Sequence, residues 1–175
     1  MDLSQDHFAL FGLPRRFVVD TAELERLYHE LQGRVHPDKF AHAGDADKRL
    51  AMQWATQANE AYLTLKSPLK RAQYLMHLAG HDAQIERNTA MPTDFLVEQM
   101  EWREAVAEAR DVADVAELGH LHHRMRKEVS AQYDTLHQAL DVAPDFARAA
   151  ELVRQLMFQE KLLHEIDDAL EAVEA

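Results

Sequence analysis

The sequence contains no cysteine, only five glycines and five prolines, and no apolar run longer than a few residues. Without cysteine there are no disulfides, no thiolate-held zinc, no cysteine-ligated iron–sulfur cluster and no cysteine nucleophile. So little Gly and Pro excludes a collagenous or low-complexity chain and argues against a many-turned β fold. A membrane-spanning helix needs about 20 consecutive apolar residues, and no stretch here approaches that. The opening, Met1-Asp2-Leu3-Ser4-Gln5-Asp6, is acidic and lacks the basic and apolar regions of a secretory signal, so a cytoplasmic location is expected. Phosphate-cradling GxGxxG and GxxxxGK[ST] loops are missing, as is a serine nucleophile elbow. Nucleotide hydrolysis by this chain is not expected, nor is any cofactor.

What is present points to helices. The 175 residues are 47% hydrophobic and 29% charged, rich in Ala, Leu, Glu and Arg, enough for one ordinary domain or two small ones. The formal net charge is −12, and it is unevenly placed. Residues 1–80 hold ten basic and ten acidic residues; residues 81–175 hold nine basic against 21 acidic, which is the whole imbalance. A strongly acidic half argues against nucleic acid or an anionic membrane as partner and favours a protein.

Periodicity sets the order of elements. Phe8, Phe11 and Leu13 form a short opening segment ended by Gly12 and Pro14. Asp20 or Thr21 can cap a helix whose Leu24, Leu27, Tyr28, Leu31 and Val35 share one face. Pro37 disfavours helical geometry at His36 and closes it. Residues 39–46 read as a loop around Gly44. Leu50, Trp54, Ala58, Ala61, Tyr62 and Leu65 mark a second long helix, and Leu69 to Leu78 a shorter one stopped by Gly80. Residues 80–92 are the linker candidate. Three more helical stretches follow: Thr93 to Ala109 with Thr93 or Asp94 as cap, one carrying Leu118 through Leu140, and a third with Pro144 in its first turn. Short connections favour an antiparallel three-helix bundle.

One tripeptide, His36-Pro37-Asp38, stands between the two long helices. Alone it reads as a helix stop followed by a turn. Its surroundings carry more: Leu27-Tyr28-His29-Glu30-Leu31 running into Val35-His36-Pro37-Asp38-Lys39, then Ala58-Asn59-Glu60-Ala61-Tyr62 with Leu65, Pro68, Lys70, Arg71, Ala72 and Tyr74, after Phe8-Ala9-Leu10-Phe11-Gly12-Leu13-Pro14. In this order and spacing residues 5–76 resemble a J-domain. Residues 94–104, Asp-Phe-Leu-Val-Glu-Gln-Met-Glu-Trp-Arg-Glu, and the later Leu156-Met157-Phe158-Gln159-Glu160-Lys161-Leu162 resemble the iron–sulfur branch of the family, the HscB-type co-chaperones. The likeness covers nearly the whole chain. A Gly/Phe-rich linker and a CxxC zinc region, marks of general-purpose J-proteins, are missing.

The resemblance implies an all-α protein: an N-terminal J-domain over 1–79, a helical hairpin with short flanking helices, then the 80–92 linker and a scaffold-binding three-helix bundle over 93–175. It implies a non-enzymatic co-chaperone that brings the scaffold protein IscU to the Hsp-type ATPase HscA and stimulates that ATPase, promoting iron–sulfur cluster transfer. His36, Pro37 and Asp38 with Arg26, Arg34 and Lys39 would meet the ATPase. Two departures stand out. Val35 replaces a usual aromatic, and Glu23, Glu25 and Glu30 offset the normally basic helix that carries Arg26 and Arg34.

Helical arithmetic sharpens the second site. At ~100° per residue, Trp102, Val106 and Ala109 fall within about 40° of Phe95, a normal core stripe. Leu96, Val97 and Met100 fall on another face, at about 100° to 200°, with Glu104 among them. Phe158 likewise lies off the stripe through Ala149, Leu156, Leu163 and Leu170. Periodicity alone leaves two readings open, a surface packed internally or against another subunit, and a protein-binding site flanked by Glu101, Glu104 and Glu108. The resemblance implies the second, with Leu96, Val97, Met100 and Phe158 holding the scaffold.

Eleven histidines invite a metal. His77 and His81 have i, i+4 spacing, and His120, His122 and His123 cluster, but no carboxylate pattern such as HExxH accompanies them. Solvated or stacked side chains, His137 and His164 included, are expected instead. Two rivals remain at this level: a tethering protein with a degenerate J-like domain, and a helical enzyme using His36 and Asp38 as an acid–base pair.

Overall fold

A computed structural model describes residues 2–81 and 90–175, so most of the expected linker, residues 82–89, lies outside the described residues. Seven α-helices are present among the described residues, with no strand. They are α1 His7–Leu10, α2 Thr21–Val35, α3 Asp45–Lys66, α4 Pro68–Leu78, α5 Thr93–Asp111, α6 Val115–His137 and α7 Phe146–Glu174. The chain divides into two compact units, one up to Leu78 and one from Ala79 onward.

In the first unit α2 and α3 form a hairpin. Asp20 caps α2, its carboxylate accepting from the Ala22 and Glu23 N–H groups at 3.0 and 3.1 Å. Leu24, Tyr28, Leu31 and Val35 from α2 and Trp54, Ala58, Ala61 and Leu65 from α3 close the core, with Phe8 and Phe11 beneath. Three of the residues quoted for the resemblance fix the pairing. The Tyr28 ring stacks on Tyr62 at 4.1 Å, and its hydroxyl donates to Asn59 Oδ1 at 3.2 Å. Leu50, expected on the core face, is 45% exposed, and Ala51 is buried instead. The buried seam of α3 runs through Ala51, Trp54, Ala58, Ala61 and Leu65, and Leu50 is turned about 100° away from Ala51 toward solvent.

Arg71 of α4, expected only as a member of the pattern, is the one buried charge of this unit among the described residues. Its Nε donates to the Phe17 carbonyl and its Nη1 to the Leu65 carbonyl, each at 2.6 Å, while the guanidinium sits 5.0 Å from the Phe17 ring centre. Leu65 ends α3, where carbonyls lack helical partners, so Arg71 staples α4 to the end of α3 and to the 11–20 loop. Arg71→Met is expected to leave both carbonyls unpaired and to lower stability by about 3 kcal/mol. Arg71→Lys should recover little, because a point ammonium cannot reproduce the planar fork. Thermal melts of the three proteins check it.

The second unit is the three-helix bundle. Gln132 pairs with Gln155, Tyr133 with Glu160 and His122 with Asp167, so α6 and α7 run antiparallel. Phe95 meets Phe158 and Arg103 meets Glu165, so α5 and α7 run in the same direction. Leu118, Leu121, Met125, Leu136, Leu152, Val153, Leu156, Leu162 and Ile166 fill the interior. Leu163 and Leu170, expected on the α7 stripe, are only half-buried. Two expected helix starts are corrected. Pro92, not Thr93 or Asp94, stands at the cap of α5, with no side-chain cap bond. Asp145 caps α7 by accepting from the Arg148 N–H, so Pro144 precedes that helix rather than entering its first turn. The helix expected to run through Leu140 changes at Gln138–Val142 into a π-helical turn.

The turn from α5 to α6 carries a strained residue. Asp114 N–H bonds the Ala109 carbonyl at 2.8 Å and Ala113 N–H the Arg110 carbonyl at 3.0 Å, the double closure that needs a left-handed residue between. The same closure after α1 uses Gly12 at φ +65°, whereas here Ala113 holds φ +55°. A Cβ makes that region cost about 1–2 kcal/mol, part of which Gly gives back through its freer unfolded chain. Ala113→Gly is therefore expected to stabilise the unit by roughly 0.5–1 kcal/mol, read as a higher melting temperature.

Candidate functional site

Two surfaces gather the expected residues. The first follows α2. Pro37 ends the helix at Val35 and starts a 3-10 turn, Pro37–Phe40, with His36 held at φ −59° and ψ 133°. Val35 is buried in the hairpin core, whereas His36, Pro37, Asp38 and Lys39 are all exposed. The turn is internally fixed. Lys39 N–H bonds the His36 carbonyl at 3.0 Å, and His36 Nδ1 accepts from the Asp38 N–H at 3.2 Å. An accepting Nδ1 places the proton of a neutral ring on Nε2. Asp38 Oδ2 lies 3.5 Å from His36 Nδ1, with 92% of its side chain open to solvent. The tripeptide thus offers a donor, a rigid ring and a carboxylate to solvent from a buried anchor.

The three cations differ. Arg26 is held on its own helix by Glu23, at 2.7 and 2.9 Å, and by Glu30 at 3.2 Å. The Glu23 bonds push its pKa further up, so the charge persists but is locally neutralised. Arg34 and Lys39 make no ion pair among the described residues and are exposed beside the tripeptide. Arg26 lies in the second turn of α2, away from the hairpin end, and Arg34 and Lys39 are the charges left uncommitted among the described residues.

The second surface is on α5. Phe95, Trp102, Val106 and Ala109 are buried, and the other apolar set is open: Leu96 42%, Val97 48% and Met100 70% exposed. Glu101, Glu104 and Glu108 are exposed along the same side. Phe158 of α7 joins at 37% exposure, its ring edge-on to Phe95 with centroids 6.3 Å apart. The residues expected at this site therefore share a helix face with one aromatic from a second helix. Phe158 is also partly structural, since Phe95 rests on it.

The histidines make pairs and stacks. His122 reaches Asp167 at 2.7 Å, His137 reaches Asp141 at 3.1 Å, and His164 reaches Asp168 at 3.9 Å. His81 stacks on Phe146 at 4.6 Å. Among the described residues no group of three or more His, Asp or Glu could hold a metal, and no helix is long and apolar enough to cross a membrane. Sequence reasoning missed two buried amides, Gln99 and Gln159; Gln99 falls about 40° from Phe95, within the core stripe, so its angle was the signal that a search for apolar residues passed over.

A helical hairpin ending in an exposed His-Pro-Asp turn, followed by a three-helix bundle, defines the class of J-domain co-chaperones. Residues 91–167 match the family model described as the HSCB C-terminal oligomerisation domain. The chain is 61% identical over 174 residues to the HscB co-chaperone homologue of Aromatoleum aromaticum, covering 99% of this chain and 98% of that one. Its fold matches the chaperone HscB from Vibrio cholerae with a TM-score of 0.86 at 35% identity, over 97% and 99% of the two chains. The human co-chaperone HscB gives 0.88 at 30% identity, over 95% and 83%. This chain belongs to the HscB family of J-domain co-chaperones, whose setting is iron–sulfur cluster assembly.

Proposed function

We propose that the protein binds the iron–sulfur scaffold IscU through its C-terminal bundle, delivers it to the Hsp-type chaperone HscA, and stimulates that chaperone's ATPase to promote cluster transfer. Residues 1–79 act as the J-domain and 93–175 as the scaffold-binding domain, working in the cytoplasm, without chemistry of their own. The observation that carries this reading is the exposed, internally hydrogen-bonded His36-Pro37-Asp38 turn, beside Arg34 and Lys39, which make no ion pair among the described residues. A rigid donor and acceptor pair presented to solvent suits recognition of one conformational state of a partner. Binding that state more tightly than its alternatives shifts the partner's equilibrium toward hydrolysis, a coupling between proteins. Cations at the turn steer it toward an acidic surface. On the other unit, open apolar side chains ringed by carboxylates supply the anchors and rim of an ordinary protein interface.

Steady-state ATP turnover by purified HscA tests the reading. Adding the chain is expected to raise turnover, and adding chain and IscU together to raise it further than either alone. An unchanged rate with all three present removes the proposal.

A further inference from the structure

The C-terminal bundle contains a polar layer that neither surface uses. Gln99 on α5 and Gln159 on α7 are only 3% and 5% exposed, and the Oε1 of each is buried without a hydrogen-bond partner among the described residues. Buried polar atoms are paired in the great majority of cases, so an orphan acceptor needs a reason. Gln159 lines a cleft of about 510 Å³ between the start of α5 and the middle of α6. Its other walls include Asp94, Phe95 and Glu98 of α5 and Glu128 of α6, and no lining residue is basic. On the far wall Gln132 donates to Gln155 at 2.9 Å.

The charges here are only partly compensated. Burial first, and then the charge of Glu98, push the Glu128 carboxyl above its usual range. Arg124 opposes that shift, but its guanidinium rests on the Trp102 ring, 4.8 Å from the centroid. Acceptors therefore converge on one opening: the Glu98 and Glu128 carboxylates at the mouth, the Gln159 amide below, the Phe95 ring at the side. The ligand that fits is a multiple donor with positive charge and a flat or aliphatic body.

We propose that this cleft receives an arginine side chain of the protein partner, its guanidinium set between Glu98 and Glu128, with the Gln159 amide beneath and its stem along Phe95. The planar fork offers five donors to acceptors that are otherwise unmet or mutually repelling. Phe95 lines the cleft and also carries the edge of Phe158, so the cleft and the apolar patch lie on two sides of one buried ring. The inference rests on the scaffold reading only for which protein carries the arginine.

The test uses the full chain and two probes, N-acetyl-arginine amide and its neutral isostere N-acetyl-citrulline amide, followed by NMR at the Gln99 and Gln159 side-chain amides. Saturable shifts with the arginine probe alone are expected. Glu98→Gln with Glu128→Gln should weaken that response, and IscU binding, at least tenfold. Glu128→Gln removes a charge the fold already disfavours, so the variant should melt no earlier than the parent. The parent should lose stability as pH rises through the interval just above the ordinary Glu range, where the folded state holds its proton longer, and the variant should lack that slope. No shift, equal shifts with citrulline, or a double variant that binds both probe and IscU like the parent overturns the arginine site. If IscU fails to bind the parent while the arginine response persists, the scaffold reading falls and the cleft's chemistry stands.

Discussion

His36→Gln is expected to abolish stimulation of the HscA ATPase while leaving helix content and melting temperature essentially unchanged. The ring lies on an exposed turn, and its one hydrogen bond among the described residues is the 3.2 Å acceptance from Asp38 N–H. The Pro37 ring and the 3.0 Å bond from Lys39 N–H to the His36 carbonyl do not depend on that side chain, so the turn keeps its shape. What glutamine lacks is a planar ring with an N–H fixed opposite the accepting nitrogen. If stimulation requires that donor in that position, losing it removes the differential contact that shifts the partner's equilibrium. Binding to IscU should stay at the parent level, since α5 and α7 are untouched. A variant that stimulates normally defeats the role given to the tripeptide; one that melts early shows that His36 holds the hairpin instead. Asp38→Ala makes a second probe of the same kind, because that carboxylate is 92% exposed and packs on nothing.

The apolar period made the two units and their helices legible in the sequence, because buried stripes at 3.6-residue spacing dominate each one. The tripeptide was legible for a different reason: proline at 37 dictates where α2 stops, so the turn is written into the backbone. What stayed hidden depends on a third dimension. Leu50 fits the apolar period back from Trp54, yet the partner helix covers the seam through Ala51 instead, about 100° round α3. Arg71 reads as an ordinary surface cation until the Phe17 and Leu65 carbonyls are seen beside it. Gln99 and Gln159 were passed over by an apolar pattern, although both are buried in the bundle. Helix starts misled where Thr93 and Asp94 resembled caps but fell inside the first turn. In each case composition and period are correct and the neighbour across space decides.

The scaffold site predicts the other large effect, and its geometry separates binding from stability. Met100 at 70% and Leu96 at 42% exposure already face water, so Leu96→Ala with Met100→Ala leaves no cavity and should barely change the melting temperature. Phe158→Ala loses the edge contact with Phe95 as well, at about 0.5–1.5 kcal/mol of stability. Together the three truncations remove the open apolar centre of the face, where a few anchors carry most of an interface's affinity. IscU binding is expected to fall by several kcal/mol, roughly a hundredfold or more. Glu104→Gln at the rim should act mainly through the association rate and salt dependence. Trp102→Ala is the contrasting change. Its ring is 7% exposed and carries Arg124 on its face, so truncation should cost roughly 3–5 kcal/mol of folding stability, and affect IscU only as far as the bundle unfolds. Calorimetric titration with IscU, run beside thermal melts of all four variants, distinguishes the two classes. A triple variant that binds like the parent makes this face a mere surface, and one that unfolds like Trp102→Ala makes it part of the core.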